Sequence, residues 1–165
     1  MFTKQNYNQE SLEEGYQLVL QQLEALIAGE SDFYANLANA SALLNQFLTD
    51  INWVGFYLYK DQELVLGPFQ GLPACIRIPL VKGVCGHAAT TGKTIIVEDV
   101  HAFPGHIACD SASNSEIVVP MFYTDQLIGV LDIDSPVFNR FSKIDQIYLE
   151  KFVNILMENL NNFNK

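Results

Sequence analysis

Three cysteines (Cys75, Cys85, Cys109), three histidines (His87, His101, His106) and three carboxylates in or beside apolar runs (Glu116, Asp132, Asp134) fall between residues 75 and 134 of a 165-residue chain. Thiols supply nucleophiles, disulfides or metal ligands, and desolvated carboxyls supply protons or pair with cations. An odd number of cysteines does not make the disulfide framework of a secreted domain; in a reducing compartment such a group points to thiol chemistry or to metal. The metal reading draws on Cys75, Cys85, His87, His101, His106 and Cys109. Only His101 and His106 come near a ligand-pair spacing, so no metal is expected.

A free cysteine is most often a small buried hydrophobe. Cys109 differs because it lies in a polar stretch, PGHIACDSASNS, where a thiol is exposed enough to react. Spacing does not decide whether Cys75 or Cys85 comes within disulfide reach of it, and three pairings stay open. Asp132 and Asp134 alternate with Leu131 and Ile133 and so share one face of a strand, while Glu116 heads the strand before it. Acids at strand ends are ordinarily solvated. Gathered away from water they repel, which raises the pKa of at least one carboxyl, and thiols close by favour a chemical role.

The elements that must position these residues can be read from periodicity. Residues 11–29 carry Leu12, Tyr16, Val19, Leu20, Leu23, Leu26 and Ile27 at helical spacing, with Ser11 and Glu14 as a capping box. A second helix starts at Ser31 or Asp32. Two β-rich runs from Ile51 to Phe69 form a hairpin over Lys60, Asp61 and Gln62, with Trp53, Gly55, Tyr57 and Tyr59 on one face and Val54, Phe56 and Leu58 on the other. Gly55 is expected to leave room over the aromatic face. An extended run (75–80), a glycine-led short helix ending near Gly92, and a strand (95–98) follow. Residues 99–115 read as a long loop of the kind that forms lids or binding loops. A second hairpin turns at Thr124, Asp125 and Gln126, and a last helix is capped by Ser142 and Asp145, its asparagine-rich end expected to fray.

This order predicts an α+β fold: one domain over residues 1–165, an antiparallel sheet with the N- and C-terminal helices on one face and a ligand pocket on the other. With 49% hydrophobic residues the chain can bury one core. A net charge of −10 with nine scattered basic residues argues against nucleic acid and anionic membranes as partners. MFTKQNYNQE has no signal-peptide pattern, and no apolar run reaches the roughly 18 residues of a membrane helix, so a soluble cytoplasmic protein is expected.

IRIPLVKGVCGHAA, VEDVHAFPGHIACDSASNSEIVVPM and GVLDIDSP resemble the free methionine-(R)-sulfoxide reductases, a family built on the GAF domain. The resemblance runs from about Asn52 to the last helix. It implies that Cys109 attacks the sulfoxide sulfur and becomes a sulfenic acid, that Cys75 resolves it as a disulfide, that Cys85 is a secondary thiol, and that thioredoxin is the reductant, with no bound cofactor. It also implies that Glu116, Asp132 and Asp134 hold the substrate and polarise its S–O bond, and that Trp53 and Tyr57 flank its methyl group.

Elementary chemistry fits these roles. A sulfoxide oxygen leaves only once protonated, which suits Glu116 and Asp134 as neutral donors. Asp132 can pair with the substrate ammonium, and backbone N–H groups near Ile107, Ala108 and Cys109 with its carboxylate. An acidic site raises a thiol pKa, so loop amides, His106 or proton transfer to the substrate must offset it. Two other readings compete: a GAF-type ligand sensor without turnover, and a thiol redox switch. The apolar helix faces would allow a homodimer.

Overall fold

Tyr16, Val19, Leu23 and Ile27 recur every three or four residues and form the buried stripe of α1 (Leu12–Ile27) in the computed structural model, which describes residues 11–106 and 110–163. Ser11 caps this helix by accepting the Glu14 amide at 3.2 Å. α2 (Phe33–Phe47) starts on Asp32, whose carboxylate accepts the Ala35 amide at 2.8 Å. At the start of α4 (Lys143–Phe163), the Ser142 amide and hydroxyl both donate to Asp145 Oδ2, and the Asp145 amide donates back to Ser142 Oγ. The other oxygen of Asp145, itself buried, accepts the Tyr16 hydroxyl at 2.8 Å and ties the first helix to the last.

α4 is helical through Phe163, into the asparagine-rich end of the chain. Asparagine is put to structural use there. Asn159 donates to the Ile27 carbonyl at the end of α1 and accepts from Asn36 of α2, each at 3.1 Å. Among the described residues no helix is long and apolar enough to cross a membrane.

The strands are β1 (Trp53–Lys60), β2 (Glu63–Gly71), β3 (Arg77–Pro79), β4 (Ile95–Val97), β5 (Ser115–Tyr123) and β6 (Gln126–Ser135). They form one antiparallel sheet in the order β3-β2-β1-β6-β5-β4. Both hairpins turn on two residues with positive φ, Asp61 and Gln62 in one and Thr124 and Asp125 in the other, a geometry whose twist matches that of the flanking strands.

Side-chain alternation then sorts the chain into two cores. Val54, Phe56, Leu58, Ile117, Val119, Leu131 and Ile133 face α1, α2 and α4. Trp53, Tyr57, Val118 and Val130 face the other way, toward α3 (Gly83–Thr91), which stops on Gly92 in the left-handed conformation. The stretch after β4 is more ordered than its lack of periodicity implies. Buried Val100 begins a single 3-10 turn (Val100–Ala102), its amide donates to the Asn114 carbonyl, and the Asn114 amide donates to Ser135 O at 2.7 Å. One buried side chain pins this segment, and one residue makes no period.

Candidate active site

Strand register assembles the site. Trp53 pairs with Asp134, Asp134 with Glu116, and Glu116 with Val97; one pleat along, Gly55 pairs with Asp132 and Asp132 with Val118. Directly paired residues project to the same side, so the three carboxyls meet on the α3 face beside Trp53 and Tyr57. α3 lowers Cys85 onto them, with Sγ 4.0 Å from Glu116 Oε1. These residues line a pocket together with Ala74, His106, Asp110 and Ser113.

Burial sets the protonation states. Glu116 is 5% and Asp132 6% exposed. Glu116 is pushed well above the ordinary carboxylate range by burial and then by the charges of Asp132 and Asp134. Asp134 is raised likewise, by burial first and Asp132 second. Burial lifts Asp132 only to about 6, because hydrogen bonds from Cys85, Glu116 and the Ile133 backbone favour its ionised form. Within the trio, negative charge is therefore held most readily on Asp132, while burial and mutual repulsion favour a proton on Glu116 and Asp134. Asp132 Oδ1 is buried without a hydrogen-bond partner, a position worth about 1–3 kcal/mol to any donor that fills it.

The Cys85 thiol is free, buried, and pushed well above its ordinary value by burial and by Asp132 and Glu116, so it stays protonated. His106 Nε2 lies 3.7 Å from Glu116 Oε2. Burial, and secondarily the charge of His101, lower the His106 pKa, which weakens His106 as a counter-charge to the acids.

The aromatic wall is stacked: Trp53 lies 5.8 Å from Tyr57 and 5.3 Å from Phe69, ring centre to ring centre. The Trp53 indole donates to Leu72 O at 3.1 Å, and the Tyr57 hydroxyl, held protonated by burial, donates to Cys75 O at 3.0 Å. Gly55 leaves no open room. The space a side chain would take there is filled by Phe69 and the Trp53 ring, so the glycine permits their stacking.

Cys75 is disulfide-bonded. Ile107, Ala108 and Cys109 lie outside the described residues. His87 stands edge-on to Phe103 and His101 Nε2 lies 2.9 Å from Asn114 Oδ1, and among the described residues no histidine joins a group of metal-ligating atoms. Such a group is formed by Cys85, Glu116 and Asp132, whose donor atoms lie within 4.8 Å of one another.

Sequence reasoning missed a polar hub at the foot of β1. Asn52 Nδ2 donates to Asp110 Oδ2 at 2.8 Å and to Ser113 Oγ at 3.0 Å, its amide donates to Asp134 O at 3.0 Å, and the Ser113 side chain hydrogen-bonds Asp134. A polar residue at the head of an apolar strand was the only local signal. Its partners are distant in the chain.

A family model described as GAF domain matches residues 9–160. Over 129 residues, 78% of either protein, the chain is 60% identical to the free methionine-R-sulfoxide reductase of Escherichia coli strain K12. The chain belongs to the free methionine-R-sulfoxide reductase family. The family relative of that name in Saccharomyces cerevisiae is 45% identical over 159 residues, 92% of this chain and 87% of the yeast protein. The crystal structure of the free methionine-R-sulfoxide reductase of Neisseria meningitidis, solved with its substrate, matches with a TM-score of 0.90 and 46% identity, covering 94% of each chain. The α+β architecture found here is thus that of the reductase family's GAF domain.

Proposed function

We propose that this protein reduces free methionine-(R)-sulfoxide to methionine in the cytoplasm, using Cys109 as nucleophile and Cys75 as resolving thiol. The observation that carries the reading is the buried carboxyl trio facing an aromatic wall: carboxyls whose pKa burial raises can keep a proton for a sulfoxide oxygen, and Asp132, the least raised by its neighbours, can carry the charge for a substrate ammonium. Membership of the reductase family supports the same substrate.

In this mechanism the ammonium seats on Asp132, whose unpaired Oδ1 lacks a donor. Trp53 and Tyr57 pack on the sulfur-bound methyl, which gains positive character as sulfur is attacked. The substrate carboxylate meets backbone N–H groups at Ile107 to Cys109. Glu116 or Asp134 protonates the oxide oxygen while Cys109 sulfur attacks the substrate sulfur; the oxygen passes to Cys109 as a sulfenic acid and methionine leaves. The thiol proton goes to the oxide or to the carboxylate just formed, so no standing thiolate is required in an acidic pocket. Cys75 then attacks the sulfenic sulfur, releasing water and closing a disulfide that thioredoxin reduces.

The disulfide state of Cys75 beside a free, buried Cys85 supports Cys109 as the partner of Cys75 and leaves Cys85 as a secondary thiol. NADPH oxidation through thioredoxin and its reductase tests the whole reading. Turnover of the free R form, not the S epimer or a peptide-bound form, and its loss in Cys109→Ser, is the expected result. No turnover of any sulfoxide by fully reduced protein would leave the pocket as a ligand-sensing site.

A further inference from the structure

Cys85, Glu116 and Asp132 form a group that the reduction chemistry uses only in part. They come from three elements, α3, β5 and β6, and one donor atom of each lies within 4.8 Å of the other two. Cys85 Sγ stands 4.0 Å from Glu116 Oε1. Asp132 is only 6% exposed, yet its Oδ1 has no hydrogen-bond partner. All three residues line the pocket, which gives a small ion a way in.

What the group lacks is positive charge. Among the described residues no lysine or arginine pairs with Glu116, Asp132 or Asp134; His106 approaches Glu116 at 3.7 Å, and burial weakens it as a cation. Buried acids without a counter-charge favour any cation that enters, and the unmet Oδ1 of Asp132 marks a place where one is held. A substrate ammonium is one such cation. The thiol points to another, because sulfur adds little to an ammonium, whereas ions of the zinc class bond thiolate and carboxylate together. Calcium and magnesium take oxygen ligands, so Cys85 selects against them. Bonds of about 2.3 Å to sulfur and about 2.1 Å to oxygen set tetrahedral ligand atoms about 3.5 Å apart. Small side-chain rotations close the 4.0 Å between Sγ and Oε1 to that spacing.

We infer that Cys85, Glu116 and Asp132 form a site for a thiophilic divalent cation of the zinc class, with a fourth position open to water. On binding, the Cys85 thiol and the Glu116 carboxyl release their protons to solvent and bond the ion; nothing is oxidised or reduced. Because Asp132 is also the proposed seat of the substrate ammonium, ion and sulfoxide exclude one another, and the ion inhibits by occupying the pocket without touching Cys75. That exclusion rests on the reaction proposed above; the metal site does not.

The test titrates Co²⁺, a coloured stand-in for zinc, and then Zn²⁺ into two proteins. One is wild type in its disulfide state, where Cys85 is free; the other is Cys75→Ser/Cys109→Ser, where Cys85 is the remaining cysteine of three. Both should show a sulfur-to-cobalt charge-transfer band that saturates at one ion per chain and is bleached by Zn²⁺. Cys85→Ser in the disulfide state should lack the band. Glu116→Gln and Asp132→Asn should each weaken cobalt binding about tenfold or more, and since an amide keeps the size of the acid, the loss reports a missing ligand. No band in either protein, a band that survives in Cys85→Ser, or undiminished affinity in both amide variants would overturn the site. Free methionine-(R)-sulfoxide, added to Cys75→Ser/Cys109→Ser, should raise the cobalt Kd, with the S epimer correcting for metal taken up by the free amino acid. A cobalt Kd indifferent to the R form would strike the seating of the ammonium on Asp132 and leave the metal site standing.

Discussion

Replacing Asp132 with Asn removes the negative charge of the carboxyl trio and keeps its shape, and it should make the protein more stable and less active. Burial holds Asp132 at about 6 where an ordinary aspartate sits at 3.8. The folded state thus binds this proton more tightly than the unfolded chain does. Stability from the group is complete below its unfolded value and is lost as pH rises through about 6. The gap corresponds to about 3 kcal/mol forfeited at pH 7 and above. Asn incurs no such loss. Because Glu116 and Asp134 share protons with Asp132, that figure is the upper end of the gain. In a domain of this length it equals a midpoint rise of about 6–12 °C. Thermal unfolding of wild type and Asp132→Asn, in one fixed redox state, should show the variant ahead near pH 8 and level with wild type near pH 4. A difference that does not change with pH, or a variant less stable than wild type at alkaline pH, would refute the burial argument. In steady-state kinetics the same variant should raise KM for the free sulfoxide about tenfold, as the ammonium loses its counter-charge.

Wild-type kcat/KM should trace a bell against pH, rising through about 6 as Asp132 ionises and falling on the alkaline side as Glu116 and Asp134 lose their protons; initial rates across a constant-ionic-strength buffer series would show it. Glu116→Gln should lower kcat by about a hundredfold or more, measured in the same assay, since an amide cannot protonate the oxide. Asn52→Ala cuts the bonds to Asp110 and Ser113, and should cost about 1–2 kcal/mol in urea unfolding together with a fall in kcat/KM. Gly129→Ala should lower the urea midpoint strongly, because a Cβ there would run into the Tyr57 carbonyl across the β1–β6 pair.

The helices and both hairpins were legible because each rests on local rules: Tyr16, Val19 and Leu23 at helical spacing, and Val54, Phe56 and Leu58 alternating with Trp53 and Tyr57. The shared face of Asp132 and Asp134 followed from strand parity alone. Their alignment with Glu116 did not, since it depends on β5–β6 register. Gly55 misled because a glycine reads as empty space, while Phe69, which fills that space, arrives from the neighbouring strand. The lowered pKa of His106 was out of reach for a similar reason: His101 and the walls that desolvate it come together only in three dimensions. Asn52 was passed over because a lone amide carries no pattern. Its partners sit 58 and 61 residues away.

The Thr124–Asp125 turn has a consequence for how the chain can change over time. It is exposed and lies at the end of β5–β6 opposite the carboxyls. Hairpin tips are where insertions and deletions are usually tolerated. Here the tip, with the irregularity beside Met121 and Phe122, counts out the residues that set Glu116 against Asp134. A one-residue slip would turn Asp132 and Asp134 into the apolar layer beneath α1, α2 and α4. Point substitutions that preserve the positive φ values should pass unnoticed, whereas a change of length would disable a site nine or so residues distant without touching any residue in it.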